Sequence, residues 1–200
     1  DAGAMRKFWI DLGLTQKDIS VPMSTLNSLN AKAVDADAPR LSFVRDPRSL
    51  ILDISDIEMT KVTLPIHPEH PDKGDREWLL GDDDTIKVNI AREDWVSGNE
   101  RRLKDFADIA LADRPNEGLS GEIIRIERVG NTPIIHWLPE NMAQPAVLLL
   151  EEEGELVTAT GLLETNDYPD GTIVQLERMG FAILEGVEED GARRLVRLHG

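Results

Sequence analysis

The 200-residue sequence contains no cysteine, which excludes a disulfide scaffold, thiol catalysis and thiolate metal sites. No apolar run approaches the roughly 18–20 residues that a membrane helix needs, and no signal-peptide pattern is present, so we expect no membrane partner. Positive charge is also scarce, because 22 Lys and Arg stand against 38 Asp and Glu, for a net charge of −16. On bulk charge alone, this balance disfavours a nucleic-acid partner, DNA included.

Signatures of catalysis are missing as well. The sequence has neither the G-x-x-x-x-G-K phosphate loop nor the G-x-S-x-G nucleophile turn, so we expect no catalysis and no cofactor in this chain alone. His67 and His70 suggest a metal site, but each is followed by proline and their spacing does not suit a shared helix face. We predict a rigid polar loop with no metal, and a metal-dependent enzyme is the weakest alternative.

The N-terminal segment carries a helical pattern. Apolar spacing predicts an amphipathic helix over residues 4–14, with a stop signal at Gly13. A second helix is expected to begin at a Ser24 cap and to end before Pro39, because proline cannot continue a helix.

After this segment, short β-rich runs separated by Gly and Pro continue to the end of the sequence. Residues 85–90 alternate cleanly between apolar and polar, and hairpin turns are expected at residues 151–154 and at Asp190–Gly191. Many short strands favour closed barrels over a βαβ sheet, although no internal repeat is visible. The predicted fold is mainly β: two small β-barrels preceded by a short helical segment.

The few basic residues occur in groups. Arg40, Arg45 and Arg48 lie where the helices give way to strands, and Arg102 and Lys104 share one face if they belong to one strand. Such grouping suggests a ligand site on an otherwise acidic surface.

Arg178 stands alone in an acidic stretch. A lone arginine usually pairs with a neighbouring acid, here Glu177 or Glu185, and the spacing alone favours that interpretation. The functional alternative is that Arg178 is kept for a ligand, with Gln175 beside it as an amide that can read a base edge.

Five groups of residues occur in an order that is specific although each group alone is weak. They are residues 5–14 with 15–18, residues 38–47, His67–Pro68 before residues 74–76, residues 135–138, and residues 171–181. Together they resemble the anticodon-binding region of archaeal and eukaryotic-type glutamyl-tRNA synthetases, which are close to glutaminyl-tRNA synthetases.

The resemblance implies a domain plan and a function. Residues 1–38 would link to a catalytic domain upstream, residues 39–92 with 158–200 would form a proximal anticodon-binding barrel, and residues 93–157 a distal one. The full class I enzyme would use ATP and Mg²⁺ to charge tRNA with glutamate in the cytoplasm. The acidic net charge does not exclude this partner, because affinity for RNA depends on local phosphate neutralisation.

The resemblance also implies site residues. Arg40, Gln175 and Arg178 match residues that contact the middle anticodon base, and Arg102 and Lys104 match two arginines that contact the first. No residue is assigned to the third base, because residues 90–98 are shorter than the segment that contacts it in bacterial glutaminyl enzymes.

Two of these positions depart from a simple pattern. Lys104 supplies a point charge where the family has a guanidinium fork. Gln175 and Arg178 are three residues apart, so a bulge or strand end near Gly180 is needed if both touch one nucleotide.

Two alternatives remain at this stage. The chain could come from a glutaminyl-tRNA synthetase, since amino-acid choice resides upstream. It could also be an acidic double-barrel module that binds proteins and never touches RNA. In that case the predicted site residues should be scattered, whereas an anticodon site requires one connected face.

Overall fold

A computed structural model describes residues 1–13, 20–81, 83–96, 98–114 and 118–199, without the side chains of residues 113, 114 and 118. Residue 14 and the string 15–18 of the predictions therefore lie outside the described residues. In the part of the chain that the structure describes, no helix has the length and apolar character needed to span a membrane.

Two helices open the chain. Helix α1 (Ala2–Leu12) ends at Gly13, which has a φ of 68°, as the stop signal predicted. Helix α2 (Met23–Val34) continues into a short 3-10 turn before Pro39. The predicted Ser24 cap is wrong: the cap position is Pro22, whose fixed φ and extended ψ set the start of the helix, so Ser24 lies inside it.

The described residues after these helices form sixteen strands, which confirm the mainly β prediction. In chain order they are β1 (Arg40–Leu41), β2 (Phe43–Arg45), β3 (Pro47–Asp53), β4 (Lys61–Pro65), β5 (Asp75–Leu79), β6 (Thr85–Ala91), β7 (Glu100–Leu103), β8 (Asp108–Arg114), β9 (Gly118–Arg125), β10 (Ile134–Ile135), β11 (Trp137–Pro139), β12 (Ala143–Glu152), β13 (Glu155–Glu164), β14 (Ile173–Leu176), β15 (Gly180–Val187) and β16 (Arg193–His199).

Fourteen of these strands form two seven-stranded sheets. One sheet has the order β10-β7-β8-β9-β3-β6-β11, and we call it the central barrel. The other has the order β1-β14-β15-β16-β12-β13-β2, and we call it the C-terminal barrel. The remaining hairpin, β4–β5, is inserted between β3 and β6 and buries Trp78 in the core of the central barrel.

Each sheet closes on itself through one broken strand. The edge strands β10 and β11 of the central barrel are consecutive in the chain and are separated only by His136. The edge strands β1 and β2 of the C-terminal barrel are likewise separated only by Ser42. Because one extended segment pairs on both sides, neither sheet keeps a long free edge, which is what a barrel achieves.

The two barrels repeat the same pattern of parallel and antiparallel pairs. In each, the closing segment pairs in parallel with the first strand of a three-stranded meander, whose last strand lies parallel to the first strand of a hairpin. Arg40 pairs with Gln175 where Ile134 pairs with Arg102, so Gln175 and Arg102 are equivalent positions. The structure thus contains a repeat that the sequence does not display.

The strand grouping differs from the predicted ranges. The central barrel takes all its strands from residues 47–139, whereas the C-terminal barrel combines residues 40–45 with 143–199. The hairpin β12–β13 therefore belongs as a whole to the C-terminal barrel, although the predicted ranges divided it at residue 157. Strand pairing between distant segments leaves no local sequence pattern, which explains the difference.

Candidate nucleic-acid interface

The closing strand of the C-terminal barrel brings Arg40 beside Gln175. The two residues are direct partners in the parallel pair β1–β14, although 134 residues lie between them in the chain. Leu41 and Leu176, the next partners, are buried in the barrel core. Because side chains alternate along a strand, Arg40 and Gln175 both point away from the core. The pairing places two predicted site residues side by side.

Hydrogen bonds to the end of the helical segment fix the orientation of the Arg40 side chain. Its guanidinium donates to Asp35 Oδ1 at 2.9 Å and to the Ala38 carbonyl oxygen at 3.1 Å, and its side chain is only 10% exposed. Its backbone N–H donates to the Ile66 carbonyl oxygen at 2.9 Å. The arginine is therefore pre-oriented by the end of the helical segment, and Gln175 beside it is half-buried.

The loop containing His67 supports this arrangement. His67 is fully buried, its Nε2 lies 3.0 Å from the Asp35 carbonyl oxygen, and its Nδ1 accepts from the Glu69 N–H at 3.1 Å. The ring packs edge-to-face on His70 at 4.5 Å between centroids. Within the described residues, no group of three or more His, Asp or Glu side chains is arranged to hold a metal ion. The loop therefore braces the carboxyl end of the helical segment, where Asp35 also holds Arg40.

A second group forms where the turns after β7 and β14 meet. Lys104 Nζ donates to Glu177 Oε1, and His136 Nδ1 lies 2.9 Å from Glu177 Oε2. Lys104 and His136 belong to the central barrel and Glu177 to the C-terminal barrel. Burial raises the pKa of Glu177, but the hydrogen bonds from His136 and Lys104 and their charges outweigh it and hold the pKa at about 2. The carboxylate is therefore charged throughout the physiological range.

Arg178 lies at the tip of the same turn. It adopts a left-handed conformation with φ of 66°, between the end of β14 at Leu176 and the start of β15 at Gly180. The required strand end near Gly180 is thus present. Arg178 donates to Asp94 Oδ2 at 2.9 Å and keeps a side chain that is 46% exposed. The predicted pairing with Glu177 or Glu185 is wrong, because the turn carries the guanidinium across to the central barrel.

Arg102 has a different environment. Its guanidinium donates to Asp108 Oδ1 at 3.2 Å and to the Phe106 carbonyl oxygen at 3.0 Å, and it is buried. Asp108 also accepts from Arg125 Nε at 2.6 Å. Burial raises the pKa of Asp108, and the hydrogen bonds from Arg125 and Arg102 lower it below its ordinary value. The condition for a shared face with Lys104 is not met, because β7 ends at Leu103 and Lys104 starts the turn.

Four of the five predicted site residues therefore lie along one path. Arg40 pairs with Gln175, Glu177 follows two residues later, and Glu177 joins Lys104, with Arg178 next in the chain. Arg102 lies near in sequence but is bound in the separate Asp108 cluster. Sequence reasoning missed His136 and Asp94 as partners, because no local pattern signals an ion pair between two barrels.

Comparison with known proteins finds a family that matches part of the chain. Residues 38–129, which run from just before β1 to just after β9, match a family described as tRNA synthetases class I (E and Q), anti-codon binding domain. This segment is similar to that anticodon-binding domain family. The match covers the closing strand of the C-terminal barrel and most of the central barrel.

Individual relatives match nearly all of the chain, including the parts that lie outside residues 38–129. The chain is 30% identical over 194 residues to a glutamate–tRNA ligase of Pyrococcus furiosus, a match that covers 94% of the chain. It is 32% identical over 188 residues to the glutamate–tRNA ligase of Archaeoglobus fulgidus and 34% identical over 196 residues to that of Methanosarcina barkeri, each again covering 94% of the chain. The chain spans about a third of the length of these relatives (33%, 32% and 32%).

Proposed function

We propose that this chain is the tRNA anticodon-binding region of a glutamate–tRNA ligase. The full-length protein would use ATP and Mg²⁺ to charge a glutamate tRNA in the cytoplasm. The same anticodon-binding surface would also accept glutamine isoacceptors. The anticodon-binding family of residues 38–129 and the names of the relatives support this proposal.

The observation that carries the proposal is the pairing of Arg40 with Gln175. An amide offers one donor and one acceptor direction to the edge of an unstacked base, and a guanidinium can stack on the base or bridge to phosphate. Arg40 is fixed by Asp35, so it is oriented before any ligand arrives. A half-exposed Arg178 at the turn extends the same surface. We assign to these three residues the recognition of the middle anticodon base.

The first test is binding to a glutamate tRNA transcript at low salt, beside a transcript whose middle uracil is changed. A wrong base typically costs about 1–3 kcal/mol where its edge is read directly, which corresponds to roughly 5- to 150-fold in affinity. We expect this loss for the chain as given, and we expect Gln175→Ala to abolish the difference between the two transcripts. Filter binding or fluorescence anisotropy measures both.

The chain provides a matched control for the guanidinium. Arg194 has nearly the same exposure as Arg178, 44% against 46%, and is also ion-paired, but it lies on β16 with Glu185 and Glu188. Arg178→Ala should weaken transcript binding, whereas Arg194→Ala should leave it unchanged. Equal weakening by both would mean that net charge and not this surface determines affinity.

Two other functions make different predictions in the same experiment. A glutaminyl-tRNA synthetase would prefer the glutamine isoacceptor over the glutamate isoacceptor, so the measurement is repeated with a glutamine tRNA transcript. An acidic protein-interaction module would bind neither transcript even at low salt. Failure to distinguish the two uracil variants would remove base recognition from the proposal.

A further inference from the structure

We propose that Lys104 and Glu177 form a clamp between the two barrels, and that Lys104 serves RNA binding by positioning the Gln175 surface without contacting RNA itself. The inference rests on the proposed function, because it says how one predicted site residue acts there. It makes Glu177 a positioning residue, a role that the sequence did not suggest.

The first argument is that the two residues occupy the same place in the repeated fold. Leu103 and Leu176 each end a strand, and the residue two places after each, Asp105 and Arg178, has a positive φ of 58° and 66°. Lys104 and Glu177 are the turn residues between these equivalent positions. The two equivalent turns, one in each barrel, therefore contact each other through one basic and one acidic side chain. This contact depends on their opposite charges.

The second argument is that hydrogen bonds hold the backbone of Lys104 on both sides of its Cα. Its N–H donates to the Ile135 carbonyl oxygen at 3.1 Å, and its carbonyl oxygen accepts from the Trp137 indole at 2.9 Å. From this fixed origin the ammonium contacts Glu177 and lies 3.5 Å from Asp105 Oδ2. The ammonium is therefore already ion-paired with two carboxylates, although the Lys104 side chain is 36% exposed.

The third argument concerns what an RNA phosphate would have to displace. The Glu177 side chain is 16% exposed, and its two oxygens face Lys104 and His136. If a phosphate drew Lys104 away, this largely buried carboxylate would lose one of its two partners, Lys104 and His136, which is unfavourable. Arg178, by contrast, is 46% exposed and contacts Asp94 through Nη1, so its guanidinium can meet a ligand without leaving that carboxylate. The clamp therefore stays closed while the neighbouring arginine contacts the ligand.

Charge reversal tests the clamp in the whole chain at pH 8, with the glutamate tRNA transcript as the probe. Lys104→Glu brings a third carboxylate to Glu177 and Asp105, and Glu177→Lys brings a second ammonium to Lys104 and His136. We expect each single variant to lose at least tenfold in affinity. The double variant, with both changes, restores opposite charges and should recover to within about threefold of the starting affinity, with the preference for the middle uracil intact.

A direct role predicts the opposite. If Lys104 contacts phosphate, the double variant places a carboxylate against RNA and stays as weak as Lys104→Glu, which would overturn the clamp. Single variants that bind as the unchanged chain does would overturn it too. Lys61 and Glu77 provide the control swap, because this exposed pair, 2.5 Å apart, lies within the β4–β5 hairpin. Reversing it should leave RNA binding unchanged.

Milder variants keep the test decisive if a reversed variant does not fold. Lys104→Met and Glu177→Gln should lower the affinity by similar factors if they break one clamp, and Lys104→Arg should retain it. If Lys104 binds RNA directly, Glu177→Gln releases it and binding stays the same or tightens. Gln175→Ala in the unchanged chain reports base recognition separately, so failure of the proposed function and failure of the clamp give different results.

Discussion

At the scale of single residues, Glu177 illustrates how one side chain depends on two barrels. Its carboxylate, which belongs to the C-terminal barrel, forms an ion pair with the ammonium of Lys104 in the central barrel. Glu177 lies in residues 171–181, one of the five groups that carry the family resemblance. Nothing in that group indicates that its partner lies 73 residues earlier. Its chemistry is therefore set by tertiary structure, and it gives a pH dependence that can be measured.

The low pKa of Glu177 predicts how stability changes with pH. The folded pKa, about 2, lies below the ordinary value of 4.5, so the charged form stabilises the fold above pH 4.5 and this contribution is lost as the pH falls toward 2. At about 1.4 kcal/mol per pKa unit, the contribution at pH 7 is on the order of 3 kcal/mol. Urea unfolding of the chain and of Glu177→Gln at several pH values measures it. The stability difference between the two should narrow below pH 4.5; a constant difference down to pH 3 would contradict the assignment.

At the scale of elements, closure of the C-terminal barrel depends on a close approach of two strands. Gly161 of β13 pairs with Arg45 of β2, and a Cβ at position 161 would lie 2.5 Å from the Val44 carbonyl oxygen and 2.7 Å from the Phe43 ring. The first of these atoms is backbone and cannot turn aside. Position 161 therefore requires glycine because of contact and not because of its φ.

Gly161→Ala should consequently destabilise the fold by about 1–3 kcal/mol, the usual range for overpacking a core. The comparison variant is Gly121→Ala on β9 of the central barrel, where the atom nearest to an added Cβ is a Leu52 side-chain methyl, also at 2.5 Å. A side-chain methyl moves more easily than a carbonyl, so the loss there should be smaller. Urea midpoints measure both, and a larger loss for Gly121→Ala would show that the closing strand tolerates displacement.

The elements also show how far the sequence determines the fold and the site. Alternation and turn residues predict the individual strands and the hairpins at residues 151–154 and Asp190–Gly191, both of which are present. They do not predict that residues 40–45 close a barrel built mainly from residues 143–199, because pairing across such a distance follows from packing. The predicted site residues follow from resemblance to a family. Their partners Asp94 and His136 become visible only in the folded structure, because each ion pair joins residues that are far apart in the sequence.

At the scale of the whole molecule, the two barrels differ in what they need to be complete. All seven strands of the central barrel lie within residues 47–139, together with its inserted hairpin. The C-terminal barrel also needs residues 40–45, which precede the central barrel in the sequence, whereas its other strands follow it. Cutting the chain near residue 141 therefore leaves one barrel whole and opens the other.

This difference predicts the behaviour of two fragments. A fragment of residues 46–142 should unfold cooperatively by circular dichroism. A fragment of residues 143–199 should not, because the outer strands β13 and β14 lose their closing partner. Joining residues 38–46 to the second fragment through a flexible linker should restore a cooperative transition. Cooperative unfolding of residues 143–199 alone would show that closure is dispensable.

The position of the closing strand also has a consequence during synthesis. More than 100 residues separate Arg45 from Ile173, where β14 begins. At about 5–20 residues per second, the ribosome delivers that partner on the order of ten seconds later. The central barrel can finish folding in that interval, while the backbone groups of β1 and β2 stay unpaired until β14 and β13 have been synthesised. Chaperones that shield exposed strand edges would meet this nascent chain at residues 40–45.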